Sequence, residues 1–206
     1  MKTLLYGGAF DPVHSGHVFV GREALRLLAP ASLLLIPTGI PNPDFDKTLS
    51  SGDADRVAML ELAFGRSPQI HISDVELRHE PRPSYFVDTL AYLEPQLGTS
   101  RPALLLGEDQ LQSFRRWHRY RDILEKVDLW YVPRAGWSHA DIPAVPAQRL
   151  FDVNPFDSLS STIVRDRVRQ GLPIDGLVPP AVAAYIAEHR LYRGQASHAD
   201  GEAFRA

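Results

Sequence analysis

Short apolar runs recur along the chain, and each is bounded by glycine, proline or polar residues. The five runs that stand out cover residues 4–6, 33–36, 70–75, 103–106 and 129–132. Runs this short have no diagnostic period of their own, but their boundaries favour buried strands. The pattern therefore predicts five buried strands.

Between these runs, apolar residues recur at the helical period. Side chains suited to helix N-caps precede four of these patterns, and a pair of prolines opens a further one. The predicted starts are Ser15, Asp53, Ser84, Ser160 and Pro179-Pro180, and Gly171 is expected to end the helix that follows Ser160. Helices are therefore predicted both between the strands and in the C-terminal part of the chain.

Strands that alternate with helices predict an α/β fold. We expect a Rossmann-like, doubly wound, mostly parallel sheet with helices on both faces, formed by one domain over residues 1–193. The segments 37–49 and 134–146 are rich in proline, glycine and aspartate and are expected to be loops. Residues 194–206 have no periodic pattern and are expected to form a flexible C-terminal tail.

The charge balance narrows the class of partner. The chain has 22 lysine and arginine residues against 25 aspartate and glutamate residues, a net charge of −3, which excludes a generally basic nucleic-acid coat or a polybasic membrane binder. Cysteine is absent, which excludes a disulfide framework, cysteine-ligated metals and thiol nucleophiles. No stretch approaches the roughly 18 apolar residues of a membrane span, and the N-terminal run is shorter than in a signal peptide. We therefore expect a cytoplasmic protein.

The segment 7–17 joins the first predicted strand to the first predicted helix. In an open parallel sheet, ligands bind beyond the carboxyl ends of the strands, so this loop is expected to contribute to a site. Gly7 and Gly8 allow backbone amides to approach a ligand. His14 and His17 lie three residues apart at the start of a helix, where the helix dipole also favours anions. The loop predicts a phosphate-binding site, the alternative being a tight turn with one surface and one core histidine.

Other nucleotide-binding and nucleic-acid-binding patterns are missing from the sequence. No Gly-x4-Gly-Lys-Ser/Thr run is present, which excludes a P-loop. No Gly-x-Gly-x-x-Gly follows the first strand, so a nicotinamide or flavin redox enzyme loses its main support. A sequence-specific nucleic-acid binder is disfavoured because no basic stripe interleaves with aromatic residues.

A second candidate anion site lies near the C-terminus. Ser160 is the predicted N-cap of a helix on which Thr162 and Arg165 share a face. A hydroxyl, free amides and a guanidinium at one helix start form a polyphosphate clamp. An ordinary capped surface helix, with its arginine in solvent, is the alternative.

Two further residues follow the predicted fourth strand. Asp109, in the Gly-Glu-Asp at 107–109, could accept hydrogen bonds from ribose hydroxyls or could be part of a helix cap. Trp117 offers a stacking face for a heterocycle or packs in the core. The chemistry of these residues alone leaves both alternatives open.

These motifs resemble a known group of enzymes. The Gly-x-Phe-x-Pro-x-His-x-Gly-His sequence at 8–17 and the Ser-x-Thr-x-x-Arg sequence at 160–165 resemble the signature pair of the nucleotidyltransferase superfamily with an HxGH motif. The Ser-Tyr-Phe-Val-Asp-Thr-Leu sequence at 84–90 and Gly-Glu-Asp at 107–109 are similar to segments of the bacterial nicotinate-nucleotide adenylyltransferase family. Weaker similarities extend the resemblance over about residues 2–193.

The resemblance implies a single nucleotidyltransferase domain that transfers the adenylyl group of ATP to nicotinate mononucleotide in NAD biosynthesis, by direct in-line attack. The catalytic residues that it implies are His14, His17 and Arg165. The implied ATP-binding residues are Gly7, Gly8, Ala9, Phe10, His14, His17, Gly107, Asp109, Ser160, Thr162 and Arg165. The implied pyridine-nucleotide-binding residues are Lys47, Ser84, Tyr85, Trp117 and Arg134. Mg²⁺ is expected to be bound through the ATP phosphates, without a metal site in the protein.

The chain departs from the family's usual sequence at three places. Ala9 stands where threonine or serine is common, Phe86 replaces a usual threonine, and the loop 41–47 keeps Lys47 but no histidine. Nicotinamide mononucleotide or another small phosphate, such as pantetheine phosphate, therefore stays open as the acceptor, and the end motifs would also serve a cytidylyltransferase. A non-catalytic nucleotide-binding module is the alternative from another class. The sequence also leaves open a homo-oligomer.

Overall fold

Six parallel strands form one sheet in the part of the chain that the computed structural model describes, residues 2–42, 48–78, 83–98, 100–136 and 145–193. The strands are β1 (Thr3–Gly8), β2 (Ser32–Pro37), β3 (Ile70–Ile72), β4 (Ala103–Gly107), β5 (Asp128–Val132) and β6 (Ala147–Arg149). Their order is β3-β2-β1-β4-β5-β6, and all neighbouring pairs run parallel. The strand order therefore reverses between β1 and β4.

Helices cover both faces of the sheet. They are α1 (Ser15–Leu28), α2 (Asp53–Phe64), α3 (Phe86–Leu97), α4 (Glu108–Ser113), a 3₁₀ helix (Phe114–Arg116), α5 (Tyr120–Lys126), α6 (Ser161–Arg169) and α7 (Pro180–Glu188). Buried side chains of α1, α2, α6 and α7 belong to one hydrophobic cluster, and those of α3, α4 and α5 belong to a second. The predicted doubly wound α/β fold is confirmed.

Consecutive residues of a single strand supply both clusters. In β1, Leu4 packs in the first cluster and Leu5 in the second. In β4, Leu105 packs in the first cluster and Leu104 in the second. Successive side chains of a strand point to opposite faces, and helices bury both faces here. This explains why β1, β2 and β4 contain unbroken apolar runs instead of alternating ones.

The five predicted strands are all present, with bounds that differ by up to three residues from the prediction. Strand β6 is absent from the sequence-based prediction. It reads Ala-Gln-Arg and lies at the edge of the sheet, where Gln148 and Arg149 are exposed. Backbone pairing with β5 holds it, so a short polar sequence suffices and leaves no hydrophobic pattern.

Three predicted helix caps are wrong by one residue. The observed caps are His14 for α1, Gly52 for α2 and Tyr85 for α3, where Ser15, Asp53 and Ser84 were expected. The polar atoms of the expected residues have other partners. Ser15 Oγ donates to the carbonyl oxygen of Gly176 at 2.9 Å, and Asp53 Oδ1 accepts from Arg56 at 2.6 Å.

The predicted start and stop of α6 and the predicted start of α7 are confirmed. Ser160 Oγ caps α6 by accepting from the amide of Ile163, and Gly171 follows the helix with φ of 68°. Pro180 is the first residue of α7. The predicted flexible tail, 194–206, lies outside the described residues, and the extent of the single domain stays a prediction. Within the described ranges, none of the helices combines the length and the apolar composition that a membrane crossing requires.

Candidate active site

A cavity of about 490 Å³ opens beyond the carboxyl ends of β1 and β4, where the strand order reverses. Ligands of doubly wound sheets bind at this position. Its wall contains every predicted site residue that the structure describes: Gly7, Gly8, Ala9, Phe10, His14, His17, Ser84, Tyr85, Gly107, Asp109, Trp117, Arg134, Ser160, Thr162 and Arg165. Lys47 lies outside the described residues.

The loop between β1 and α1 has a specialised backbone. Phe10 has φ of 48°, in the left-handed region that residues other than glycine rarely adopt. Its buried ring packs against Tyr6 and His17, with centroid distances of 5.6 and 5.0 Å, and this packing holds the unfavourable conformation. Gly16 permits a close approach, because a Cβ there would lie 3.1 Å from the His14 ring. The loop therefore fixes both histidine rings against the core.

His14 and His17 cap α1 reciprocally. The backbone N–H of His17 donates to His14 Nδ1 at 3.4 Å, and that of His14 donates to His17 Nδ1 at 3.2 Å. The two rings stack with their centroids 3.7 Å apart. Because each Nδ1 accepts a hydrogen bond, the proton of each neutral ring is assigned to Nε2. Both histidines therefore offer an Nε2–H donor.

Both histidine rings are uncharged at neutral pH. Burial, with a smaller effect from the charge of Arg134, lowers the pKa of His14 to about 3. Burial also lowers the pKa of His17 well below its usual value, and His14 and Arg134 add to the effect. The pair can therefore donate hydrogen bonds to an anion without holding a fixed positive charge in the free protein.

We expect the free energy of unfolding to fall as the pH drops from 6.5 to 5. The unfolded chain binds protons at both histidines in this range, whereas their lowered pKa values keep them neutral in the folded state. Each histidine steepens the dependence by up to about 1.4 kcal/mol per pH unit. Urea unfolding at several pH values should show that the free energy of unfolding of His14→Asn depends less steeply on pH than that of the wild type. The same substitution at the exposed His71 is the control, and an equal change there would contradict the assignment.

The start of α6 is attached to the loop after β1, although 149 residues separate Ser161 from Pro12. Ser161 Oγ donates to the carbonyl oxygen of Pro12 at 2.9 Å, and Arg165 Nη1 donates to that of Asp11 at 2.7 Å. Ser160 caps the helix, and the first-turn amides together with the helix dipole favour an anion beyond its start. The two candidate anion sites of the sequence are therefore one site.

Arg165 is held by contacts at both of its terminal nitrogens. Besides the bond from Nη1, its Nη2 donates to Thr162 Oγ1 at 3.2 Å. Its Nε is buried and has no hydrogen-bond partner among the described residues. The two bonds from the terminal nitrogens therefore fix the orientation of the guanidinium beside the start of α6.

Arg134 lies with the residues predicted for ATP. Its Nε is 3.7 Å from Asp109 Oδ1, and its Nη1 donates to the carbonyl oxygen of Leu159 at 2.9 Å, directly before the α6 cap. Its positive charge also lowers the pKa values of His14 and His17. In the structure, Arg134 therefore lies beside Asp109 and close to the histidine pair, in the wall of the cavity.

Aromatic side chains line the side of the cavity formed by α3, which covers the opposite face of the sheet from α6. Phe86 packs edge-on against Trp117, with ring centroids 5.7 Å apart, and Tyr85 lies against His118 at 4.3 Å. Trp117 also packs on the core residue Phe114 at 5.2 Å. Trp117 is therefore both a core residue and part of the cavity wall.

Sequence reasoning assigned no role to the buried charged residues Asp11, Arg56, Glu76 and Glu108. Asp11 accepts a hydrogen bond from the hydroxyl of Tyr192 at 2.8 Å, and Arg56 Nη1 donates to the carbonyl oxygen of Ala9 at 2.9 Å. A charge is buried only with partners, and most of these partners come from distant segments, the exception being Asp53, which pairs with Arg56 on the same helix. The one local signal is the position of Arg56, which lies on the apolar face of α2.

Comparisons with known proteins identify the family of the chain. The family model described as cytidylyltransferase-like matches residues 5–167. A "Probable nicotinate-nucleotide adenylyltransferase" of Dehalococcoides mccartyi is 36% identical over 203 residues, which cover 95% of this chain and 98% of the relative. A protein of the same description from Symbiobacterium thermophilum is 32% identical over 209 residues, with coverages of 97% and 99%.

Solved structures share the fold at lower sequence identity. The Plasmodium falciparum nicotinic acid mononucleotide adenylyltransferase complexed with NaAD superimposes with a TM-score of 0.75 at 20% identity, covering 93% of this chain and 98% of that one. The structure of its complex with APC superimposes with a TM-score of 0.74 at 16% identity, covering 93% of this chain and 96% of that one. By the extent and identity of its matches to curated relatives, the chain belongs to the nicotinate-nucleotide adenylyltransferases of the cytidylyltransferase-like family.

Proposed function

We propose that this protein transfers the adenylyl group of ATP to nicotinate mononucleotide, giving nicotinate adenine dinucleotide and pyrophosphate in NAD biosynthesis. The observation that carries the proposal is the meeting of the His14–His17 pair and the start of α6 at one cavity. These groups approach phosphate oxygens from two elements of the fold. The family assignment supports the same reaction.

The reaction needs no nucleophile from the protein. The phosphate of the mononucleotide is ionised at neutral pH, and one of its oxygens attacks the α-phosphorus of ATP. A P–O bond forms there while the bond from the α-phosphorus to the oxygen bridging the α- and β-phosphates breaks, and pyrophosphate leaves with that oxygen. Catalysis then consists of holding two anionic groups in line and stabilising the charge on the α-phosphate.

The phosphate chain is assigned to the histidine pair and to α6. His17 donates its Nε2–H to the α-phosphate, and His14 donates beside it. Arg165, Thr162 and the first-turn amides of α6 hold the β- and γ-phosphates, which become the leaving pyrophosphate. In this division, the positive charge of the Arg165 guanidinium lies beside the leaving group.

Asp109 and Arg134 are assigned to the nucleoside end of ATP. The Asp109 carboxylate lies just after β4 and accepts from the ribose hydroxyls. Arg134 is 3.7 Å from this carboxylate and orients it, while its charge also favours the phosphates. This moves Arg134 from the pyridine-nucleotide residues to the ATP residues in the proposed assignment.

We expect ATP to be used as its magnesium complex. The described residues contain no cluster of three histidine, aspartate or glutamate side chains that could hold a metal, and Mg²⁺ carried by phosphate oxygens and water requires none. The ion would neutralise charge on the polyphosphate. The chain's own contribution is to hold the phosphates with the donors of α1 and α6.

The acceptor nucleotide is assigned to the side of the cavity formed by α3. Ser84 and Tyr85 precede this helix, and Trp117 offers a ring face for the pyridine. Phe86 packs edge-on against Trp117 and so limits where that face can lie.

The role of Lys47 in binding the pyridine nucleotide stays a prediction, as do a cytoplasmic location and assembly into a homo-oligomer.

The deciding assay supplies ATP and Mg²⁺ with nicotinate mononucleotide or nicotinamide mononucleotide in parallel and measures pyrophosphate. We expect faster release with nicotinate mononucleotide, and His17→Ala protein serves as the background control. Release only with the nicotinamide compound would change the acceptor but keep the chemistry, and a third reaction with pantetheine phosphate tests the other acceptor. ATP binding without pyrophosphate release from any of them would instead identify a non-catalytic nucleotide-binding module.

A further inference from the structure

A buried carboxylate lines the cavity without a part in the reaction described above. Glu76 lies after β3, is 9% exposed, and belongs to the cavity wall. Burial raises its pKa, while hydrogen bonds and the charge of Arg56 act in the opposite direction. A carboxylate in this position is costly unless its oxygens are hydrogen-bonded, so its partners indicate what it does.

The partners of Glu76 come from two other segments that form the same side of the cavity. Glu76 Oε1 accepts from Thr89 Oγ1 in the first turns of α3 at 2.8 Å. Glu76 Oε2 accepts from the backbone N–H of Gly39, after β2, at 3.3 Å. The hydroxyl of Ser84, directly before α3, also hydrogen-bonds to Glu76 and favours its ionised form. One side chain thus joins the exits of β2 and β3 to the start of α3.

The backbone at this point is packed closely enough to require glycine. A Cβ at Gly39 would lie 2.1 Å from the carbonyl oxygen of Glu76 and 2.7 Å from Ser84 Oγ. The amide of Ser84 donates to the carbonyl oxygen of Ile40 at 2.7 Å, which fixes the two segments side by side. Ser84 therefore has little freedom to move away from Glu76.

The contact with Glu76 determines which hydrogen-bonding role remains to Ser84. Both carboxyl oxygens of Glu76 already accept, one from Thr89 Oγ1 and one from the Gly39 amide, so Ser84 Oγ meets an acceptor and its proton points to Glu76. The remaining capacity of Ser84 Oγ is two lone pairs, and Ser84 is part of the cavity wall. To a ligand, this serine is an acceptor and not a donor.

We propose that Glu76 is a positioning residue for the mononucleotide. Glu76 directs the proton of Ser84 Oγ away from the cavity. Ser84 Oγ then accepts a hydrogen bond from a hydroxyl or N–H group of the mononucleotide. The inference rests on the proposed function for the identity of the ligand. The groups of a mononucleotide that can donate are its ribose hydroxyls and, in the amide form, its carboxamide. Ser84 therefore does not bind the phosphate or the pyridine carboxylate.

The test compares dissociation constants of the wild type and Glu76→Gln for nicotinate mononucleotide and for ATP, measured separately by calorimetry. A glutamine amide can donate to Ser84 Oγ and so release its proton toward the cavity. We expect mononucleotide binding to weaken about tenfold or more, on the scale of a misdirected buried hydrogen bond, and ATP binding to change less than twofold. If binding of both ligands weakened equally, Glu76 would be a structural residue and the proposal would be overturned. Unchanged dissociation constants for both ligands would overturn it as well.

A conservative pair at Thr89 tests the same contact without removing the carboxylate. Thr89→Val removes the hydroxyl that donates to Glu76, and Thr89→Ser keeps it. We expect the valine variant to weaken mononucleotide binding selectively and the serine variant to bind as the wild type does. Identical behaviour of the two variants would contradict a role for the hydrogen bond.

Tyr192→Phe provides the matched control on the other side of the cavity. It also removes a buried hydroxyl that donates to a carboxylate, that of Asp11, at the same distance of 2.8 Å. We expect this variant to leave the dissociation constant of the mononucleotide unchanged. A mononucleotide effect as large as that of Thr89→Val would show that any lost buried hydrogen bond disturbs this subsite.

A double-mutant cycle isolates the role of Ser84. If Glu76 acts through Ser84, adding Glu76→Gln to Ser84→Ala should weaken mononucleotide binding by less than a further twofold. A full additional loss would show that Glu76 acts independently of Ser84. Failure of the proposed function is a separate result, since it would be seen in the wild type as no pyrophosphate release with nicotinate mononucleotide.

Discussion

Replacing His17 with alanine is expected to lower kcat by on the order of 10² or more, the scale for losing one preorganised donor to a developing charge. The ring is held from three sides before any ligand binds: it stacks on His14, contacts Phe10 edge-on and accepts the His14 amide at Nδ1. Its Nε2–H donor therefore requires no reorganisation during the reaction. Initial rates of pyrophosphate release at saturating ATP and mononucleotide measure the effect.

Two amide variants separate the catalytic donor from the helix cap. His17→Asn retains an acceptor near the position of Nδ1 but has no donor at the position of Nε2, whereas His17→Gln places an amide near Nε2. We expect the asparagine variant to be as slow as alanine with a smaller loss of thermal stability, and the glutamine variant to recover part of kcat. Turnover close to that of the wild type in a folded His17→Ala protein would overturn the assignment of His17.

Replacing Arg165 with alanine is expected to lower kcat/KM for ATP by about 10- to 100-fold, the equivalent of one or two charge-assisted hydrogen bonds. The guanidinium is oriented by the Asp11 carbonyl oxygen and by Thr162, and its buried Nε has no partner within the described residues. Lysine keeps the charge but loses the planar fork, so Arg165→Lys should recover only part of the loss. Steady-state kinetics with ATP varied at saturating mononucleotide gives the value.

A second arginine of the same helix provides the control for Arg165. Arg169 lies in the last turn of α6, where it pairs with Asp166 at 2.6 Å and is 46% exposed in its side chain. Arg169→Ala removes the same charge from the same helix at the end away from the cavity, and we expect unchanged ATP kinetics. Unchanged kinetics in Arg165→Ala, or an equal loss in both variants, would contradict a phosphate clamp at the start of α6.

The parts of the fold that depend on burying apolar surface could be predicted from the sequence. Strands β1, β2 and β4 are buried on both faces, so each forms a run that the sequence displays directly. Strand β6 depends on backbone pairing at an edge, which leaves no hydrophobic signature. The cap of α1 was misplaced because histidine is not a usual N-cap, and His14 takes that role only through its reciprocal bond with His17.

The candidate site shows a similar division. His14, His17 and Ser160 were found because short local motifs place them next to strand ends and helix starts. The contacts of Asp11 with Tyr192 and of Glu76 with Thr89 could not be found in this way, since each joins segments with no shared local pattern. The neighbours of Arg134 depend on how the segment after β5 meets the segment before α6, which is a property of the tertiary structure.

The attachment of α6 to the loop after β1 has a consequence for the order in which the protein is made. Ser161 and Arg165 contact residues that leave the ribosome 149 and 154 positions earlier, and Tyr192 contacts Asp11 across 181 positions. A nascent chain that ends before α6 can pair β1 with β2 and β4, but it lacks the donors of α6 to which we assign the leaving phosphates. If α6 holds these phosphates, we expect ATP to stabilise the protein only after this helix has been synthesised.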